Sequence, residues 1–236
     1  MRSTVKRVLT LAFFAALAAL PASADSFTSS TAFSAAIAGM SGVTTANFDA
    51  DAVGNIAQGA TVDGITFTST INGGAGSLAI ANLFNTTSGT NYLGSDDPTT
   101  AALFGGDSIT MTFASPVNAL GLFIIGGPYT DGDFTLASIA ATALSSSTLE
   151  QTLPDGGEVI FLGITSATGF SSATLSLSLT AGELWNVDDI TTAGGTSNTG
   201  GGGGTPVPEP GTLAMLLAGL CACTYFSCRR SAEPRA

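Results

Sequence analysis

Along most of the chain, apolar residues alternate with threonine and serine. Residues 107–113 (DSITMTF) place Ile109, Met111 and Phe113 on one face and hydroxyl side chains on the other. The same period of two runs through 60–69 (ATVDGITFTS), 133–140 (DFTLASIA), 173–180 (ATLSLSLT) and 184–192 (LWNVDDITT). Two further runs, 117–125 (VNALGLFII) and 158–164 (EVIFLGI), are more continuously apolar. Ser115-Pro116 reads as a turn between two strands, and Ala46-Asn47-Phe48-Asp49 opens the strand series. Period-two runs bounded by Gly, Ser, Asp and Pro predict an all-β antiparallel β-sandwich, each sheet with one face towards water. One segment departs from that period. Residues 26–37 put apolar side chains at 27, 33, 36 and 37, which predicts a short N-terminal helix.

Both ends follow other rules. Arg2, Lys6 and Arg7 precede an apolar run over 8–20, and Ala22-Ser23-Ala24 fits a small-x-small cleavage site. Residues 1–24 are therefore expected to be a secretory signal peptide, with the sandwich over 25–193. Residues 194–206 form a Gly-rich linker with five consecutive glycines, a composition that buries nothing and stays flexible. The uncharged run 212–228 is at the lower limit for crossing a bilayer, and Arg229-Arg230 after it belongs on the cytoplasmic side. Upstream, Pro206, Pro208 and Pro210 keep the helix from extending, leaving Val207-Pro208-Glu209-Pro210 extended outside the membrane.

Charge changes the picture most. All six Lys and Arg lie at the two ends, and from Asp25 to Thr205 there are fifteen Asp and Glu with no Lys, Arg or His. Nucleic acid is excluded as a partner, because phosphate binding needs clustered cations. The three cysteines (Cys221, Cys223, Cys228) all sit in the C-terminal apolar run, so the exported domain has no disulfide.

The tail VPEPGTLAMLLAGL…CRR resembles the PEP-CTERM sorting signal of Gram-negative bacteria: a Pro-Glu-Pro box, an apolar helix and a terminal basic cluster. The resemblance implies recognition by an exosortase and an inner-membrane intermediate. It further implies delivery to the cell surface or the extracellular polysaccharide matrix. Val207, Pro208, Glu209 and Pro210 would be the recognition box, and Arg229 and Arg230 the retention cluster. More weakly, the FD strand at 48–49 and the Trp-x-x-Asp-Asp strand at 185–189 are similar to a sandwich type found upstream of this signal, jelly-roll-like in outline.

Catalysis has little to work with. Without His, Cys or Lys the domain offers no nucleophile–base pair, no Schiff base and no ordinary zinc site. A carboxylate pair acting on glycosides, drawn from Asp96, Asp97, Glu183, Asp188 and Asp189, is the remaining enzymatic alternative. The domain is read as non-catalytic. Calcium is the candidate cofactor, with Asp49, Asp51, Asp188 and Asp189 as candidate ligands, since paired carboxylates with no counter-charge repel unless solvated, hydrogen-bonded or bridged. Strand alternation would point Asp189 with Trp185 and Val187 to the core and Asp188 the other way. As a carbohydrate-binding module, the second alternative, the domain would use Trp185, Tyr92 or Tyr129 as stacking aromatics. Asn85-Thr86-Thr87 is also a glycosylation sequon.

Overall fold

The computed structural model describes residues 24–178 and 183–194. All of the expected signal peptide but Ala24, all of the linker but Gly194, and the C-terminal tail lie outside the described residues. The chain divides into two units, Met1–Thr196 and Ser197–Ala236, and every described residue belongs to the first.

The described chain is all-β and antiparallel, with one helix. In order it forms β1 (Ala24–Phe27), α1 (Ser30–Ile37), β2 (Thr44–Ala46), β3 (Gly54–Ile56), β4 (Ala60–Val62), β5 (Ile65–Ile71), β6 (Gly74–Ala75) and β7 (Leu78–Ala81). Then come β8 (Tyr92–Ser95), β9 (Ser108–Gly126), β10 (Phe134–Ser138), β11 (Thr142–Leu144), β12 (Gln151–Thr152), β13 (Glu158–Leu177) and β14 (Trp185–Ala193). The principal hydrogen-bonded order is β11-β10-β13-β9-β14-β8-β7-β3.

Two long strands organise this order. The first half of β9 pairs with β5, from Ile65↔Phe113 to Thr70↔Ser108, and its second half pairs with β14, from Trp185↔Gly126 to Ala193↔Ala119. β13 accompanies β9 along both halves, with register shifts between Thr165, Phe170 and Ser172. Strands that change sheet through a bulge make the corners of such sandwiches. The turn expected at Ser115-Pro116 is therefore not a turn. Pro116 falls inside one strand, in the interval between Thr112 and Val117 where the ladder to β13 shifts register, so its missing N–H costs nothing there. Residues 158–164 and 173–177 are likewise parts of one strand.

Alternation holds where one face meets water. Ile109, Met111 and Phe113 are buried on the inner side of β9. Outside, hydroxyl pairs such as Thr110–Thr174 (2.9 Å) join neighbouring strands. It fails in the second half of β9 and the first half of β13, where residues 159–166 are buried without interruption. On the outer side α1 covers Ala119 and Phe161, while Leu153 packs on Ile125 and Val159. Gly121 and Gly163 are paired directly across β9 and β13, and the flat spot they make receives Phe33. Around it Phe33, Ile37, Ala119, Phe161 and Ala193 form a second, smaller core. The helix has no capping side chain of its own. Glu150, 120 residues away, accepts from Ser30 N (2.8 Å) and Ser30 Oγ (2.7 Å), so a carboxylate meets the positive helix end.

The main core lies between the layers. Trp185 is fully buried, meets Phe134 edge-on at 5.3 Å, and donates its indole N–H to Phe104 O at 3.0 Å.

Candidate functional site

Strands β7 and β8 pair from Leu78↔Ser95 to Ala81↔Tyr92, which leaves residues 82–91 as the loop between them. Apart from Leu83 and Phe84, these ten residues are Asn, Thr, Ser and Gly with nothing apolar to bury, so order over 85–91 must come from hydrogen bonds. Carboxylates brought from three distant parts of the chain supply them.

At the C-terminal end of the loop, Asp49 Oδ1 accepts from Thr90 N (2.7 Å) and Asn91 N (3.1 Å). The Asn91 side-chain amide donates back to Phe48 O and Asp51 O, each at 3.0 Å. Gly89 permits this closeness. Its φ is +49°, and a Cβ there would occupy the space of the Asp49 carboxylate.

In the middle of the loop, Asp188 Oδ2 accepts from Thr87 N (3.0 Å), Thr87 Oγ1 (2.7 Å) and Ser88 N (3.1 Å). Asp188 Oδ1 accepts from Asp189 N at 2.8 Å. Asp189 reaches the same segment, accepting from Thr87 Oγ1 (2.9 Å) and Ser88 Oγ (2.9 Å). Two adjacent strand residues reach one loop because the strand is broken between them. Asp189 has φ +49°, and the ladder to β9 shifts between Asp188 and Thr191. The alternation read from the sequence is corrected here: Asp188 is the fully buried residue and Asp189 is half-buried. Burial pushes the Asp188 carboxyl up to about 6, with the Asp189 charge adding to it and the Thr87 and Ser88 donors opposing.

At the N-terminal end, Asp155 in the turn between β12 and β13 accepts from Asn85 N (3.1 Å) and Gly157 N (3.1 Å). These backbone donors hold its carboxyl below the ordinary carboxylate value.

Asp49, Asp188 and Asp189 thus all converge on residues 87–91, with their oxygens engaged by backbone and hydroxyl donors. Asp51 faces elsewhere. Its carboxylate lies beside Asp63, whose pKa is raised by burial first and by the Asp51 charge second. Among the described residues, no three His, Cys, Asp or Glu side chains are grouped as a metal site. Of the carboxylates considered for glycoside chemistry, Asp97 caps its own turn, accepting from Thr99 N (2.7 Å) and Thr100 N (3.0 Å). Asp96 and Asp97 follow β8, at least about 16 Å of strand beyond Asn91. They are not placed opposite Asp188 and Asp189.

The three aromatics considered for stacking are core residues. Trp185 and Tyr92 are fully buried and Tyr129 is 5% exposed, so none turns a ring face to solvent. Burial raises the Tyr92 hydroxyl to about 12 and pushes the Tyr129 hydroxyl upward as well. Phe84 and Phe104 are exposed aromatics that alternation did not single out. Phe84, 40% exposed, stacks on Tyr92 with centroids 6.1 Å apart and planes at 29°, and Leu83 beside it is 57% exposed. Between this loop and the β12–β13 turn lies a cleft of about 360 Å³, lined by Asn82, Leu83, Phe84, Asn85, Thr90 and Asp155. A Leu-Phe pair interrupting a run of Asn, Thr, Ser and Gly was the available sign of it.

The remaining functional element is the tail. Residues 206–231 match the family model of the PEP-CTERM protein-sorting motif. The chain carries a PEP-CTERM sorting signal. With it come processing by an exosortase, a membrane enzyme, and export through a membrane-anchored intermediate to the surface. The PEP-CTERM match covers Val207, Pro208, Glu209 and Pro210 as well as Arg229 and Arg230, all outside the described residues. No curated protein and no solved structure matches the chain.

Proposed function

We propose that this is a non-catalytic surface protein of a Gram-negative bacterium, whose jelly-roll-like sandwich is delivered to the exopolysaccharide matrix by its C-terminal sorting signal. The observation that carries this reading is the PEP-CTERM motif over 206–231. In this reading residues 1–24 direct export and are removed, and the 212–228 segment holds the intermediate in the inner membrane. The exosortase acts at the extended Val207-Pro208-Glu209-Pro210 box, and residues 194–206 separate the sandwich from the anchor. The cation-free composition of 25–205 suits the role: a segment carrying about −15 stays soluble and does not adhere to anionic envelope lipids.

Expression in a host with the exosortase tests it. The wild-type protein is expected at the surface with a mass lower than its tail-bearing precursor. Glu209→Ala is expected to accumulate uncut in the inner membrane, and deletion of 206–236 to miss the surface. Wild-type protein recovered from the inner membrane with its tail intact would sink the reading.

A further inference from the structure

We propose that the cleft between the 82–91 loop and the β12–β13 turn binds a neutral polysaccharide, with Phe84 as the platform for one pyranose ring. This goes beyond the sorting reading and does not depend on it.

The ring of Phe84 is stacked on buried Tyr92, and the residue as a whole remains 40% exposed. An aromatic face is negative at its centre, and the C–H face of a pyranose carries partly positive hydrogens, so the two attract while both shed water. Asn82, Asn85, Thr90 and Asp155 line the same cleft. Amides and hydroxyls both donate and accept, and a carboxylate accepts twice at each oxygen, which suits sugar hydroxyls that do both. A volume of about 360 Å³ is within the range of ligand sites.

Charge decides the class of sugar. No Lys, Arg or His occurs between Asp25 and Thr205, and Asp155 itself borders the cleft. Uronates, sulfated glycans, phosphates and nucleotides would meet only repulsion there, whereas a neutral glycan meets none. The carboxylates that hold the loop complete the argument. Asp49, Asp155, Asp188 and Asp189 fix its backbone in advance, so binding need not order it, and ordering is a principal cost of association.

The test is retention of the full chain on an array of neutral glucans, mannans, galactans and xylans, with alginate and hyaluronan as anionic members. At least one neutral polysaccharide is expected to be retained, with an affinity independent of NaCl, and the anionic ones are not. Phe84→Ala should weaken that retention at least about tenfold, and Phe84→Trp should keep it. Asn82→Ala should weaken it with an unchanged thermal midpoint, since Asn82 is exposed. Retention of no neutral glycan, retention of anionic glycans only, or equal retention by wild type and Phe84→Ala overturns the proposal. So does an Asn82→Ala and Phe84→Ala phenotype confined to self-association in sedimentation, which would make the patch a contact between copies.

Discussion

The hydroxyl oxygen of Thr87 lies 2.7 Å from Oδ2 of Asp188, a residue 101 positions further along the chain. It also lies 2.9 Å from Oδ2 of Asp189, so a single hydroxyl proton stands between two carboxylates. Asp188 Oδ2 also accepts from the backbone N–H groups of Thr87 and Ser88, and Asp189 Oδ1 accepts from Ser88 Oγ, so each carboxylate keeps other donors whichever one the Thr87 proton serves. Burial first, and the Asp189 charge with it, still raise the Asp188 carboxyl to about 6.

Stability should therefore depend on pH in a definite direction. The folded-state value of Asp188, about 6, stands above the ordinary 3.8. Its contribution is fully present below 3.8 and is lost as pH rises through about 6. The loss should be about 2–3 kcal/mol, from a shift of roughly two units. Thermal midpoints at constant ionic strength should fall between about pH 4 and pH 6.5, less steeply in Asp188→Asn. Equal slopes would remove Asp188 as the cause. Asp97, Asp131 and Asp155, lowered by local hydrogen bonds, act in the opposite sense, and what they contribute is lost only as pH falls below 3.8.

Gly89→Ala should cost more than an ordinary left-handed glycine. Gly59 also has positive φ (+77°), but a Cβ there meets nothing within 4 Å. Gly59→Ala should lose about 1 kcal/mol, the backbone strain alone. Gly89→Ala also displaces the Asp49 carboxylate, which leaves Thr90 N and Asn91 N without their acceptor, for a total of about 2–4 kcal/mol. Urea midpoints of the two variants at equal m-value compare them, and equal losses would show that Asp49 does not brace the loop.

Phe33 and Gly163 should be energetically coupled. A Cβ at Gly163 would lie 2.7 Å from Phe33 Cδ2. Gly163→Ala is expected to cost about 1–3 kcal/mol by overpacking, and Phe33→Ala about 3–5 kcal/mol. In the double variant the alanine methyl partly fills the emptied space, so the losses should sum to less than their separate values by at least about 1 kcal/mol. Additive losses would mean that α1 does not rest on the glycine pair.

Salt should stabilise the fold by screening. Because donors already engage Asp49, Asp188 and Asp189, the thermal midpoint in CaCl₂ is expected to follow that in NaCl at matched ionic strength. A rise specific to calcium and abolished by Asp189→Asn would instead identify a bound ion.

How much of this was legible depended on what covered each face. The alternation of Ile109, Met111 and Phe113 could be read because their Thr and Ser neighbours face water. The runs at 117–125 and 158–164 lose their period because α1 and Leu153 cover the outer side, and no local signal announces a helix whose Phe33 packs on Gly121 and Gly163 far along the chain. Ser115-Pro116 looked like a turn because proline removes a donor, yet the donor is not needed where the ladder shifts register. The acidic clusters at 49 and 188–189 were visible, but their target was not. Thr87, Ser88 and Asn91 look like any hydrophilic loop, and a left-handed aspartate at 189 has no periodic signature. Nothing local separates Phe84 from Trp185, Tyr92 and Tyr129, since a sequence does not tell which aromatic rings are buried.

The position of β14 has a mechanical consequence. The chain passes from Ala193 towards the sorting signal, so force applied through the C-terminus enters the domain at the end of this strand. β14 is bonded to β9 on one side and to β2 and β8 on the other. Pulling the strand free must release partners on both flanks, as at Thr191 and Thr192, where an edge strand would peel from one. A load from the attachment point is thus borne by the middle of the sheet.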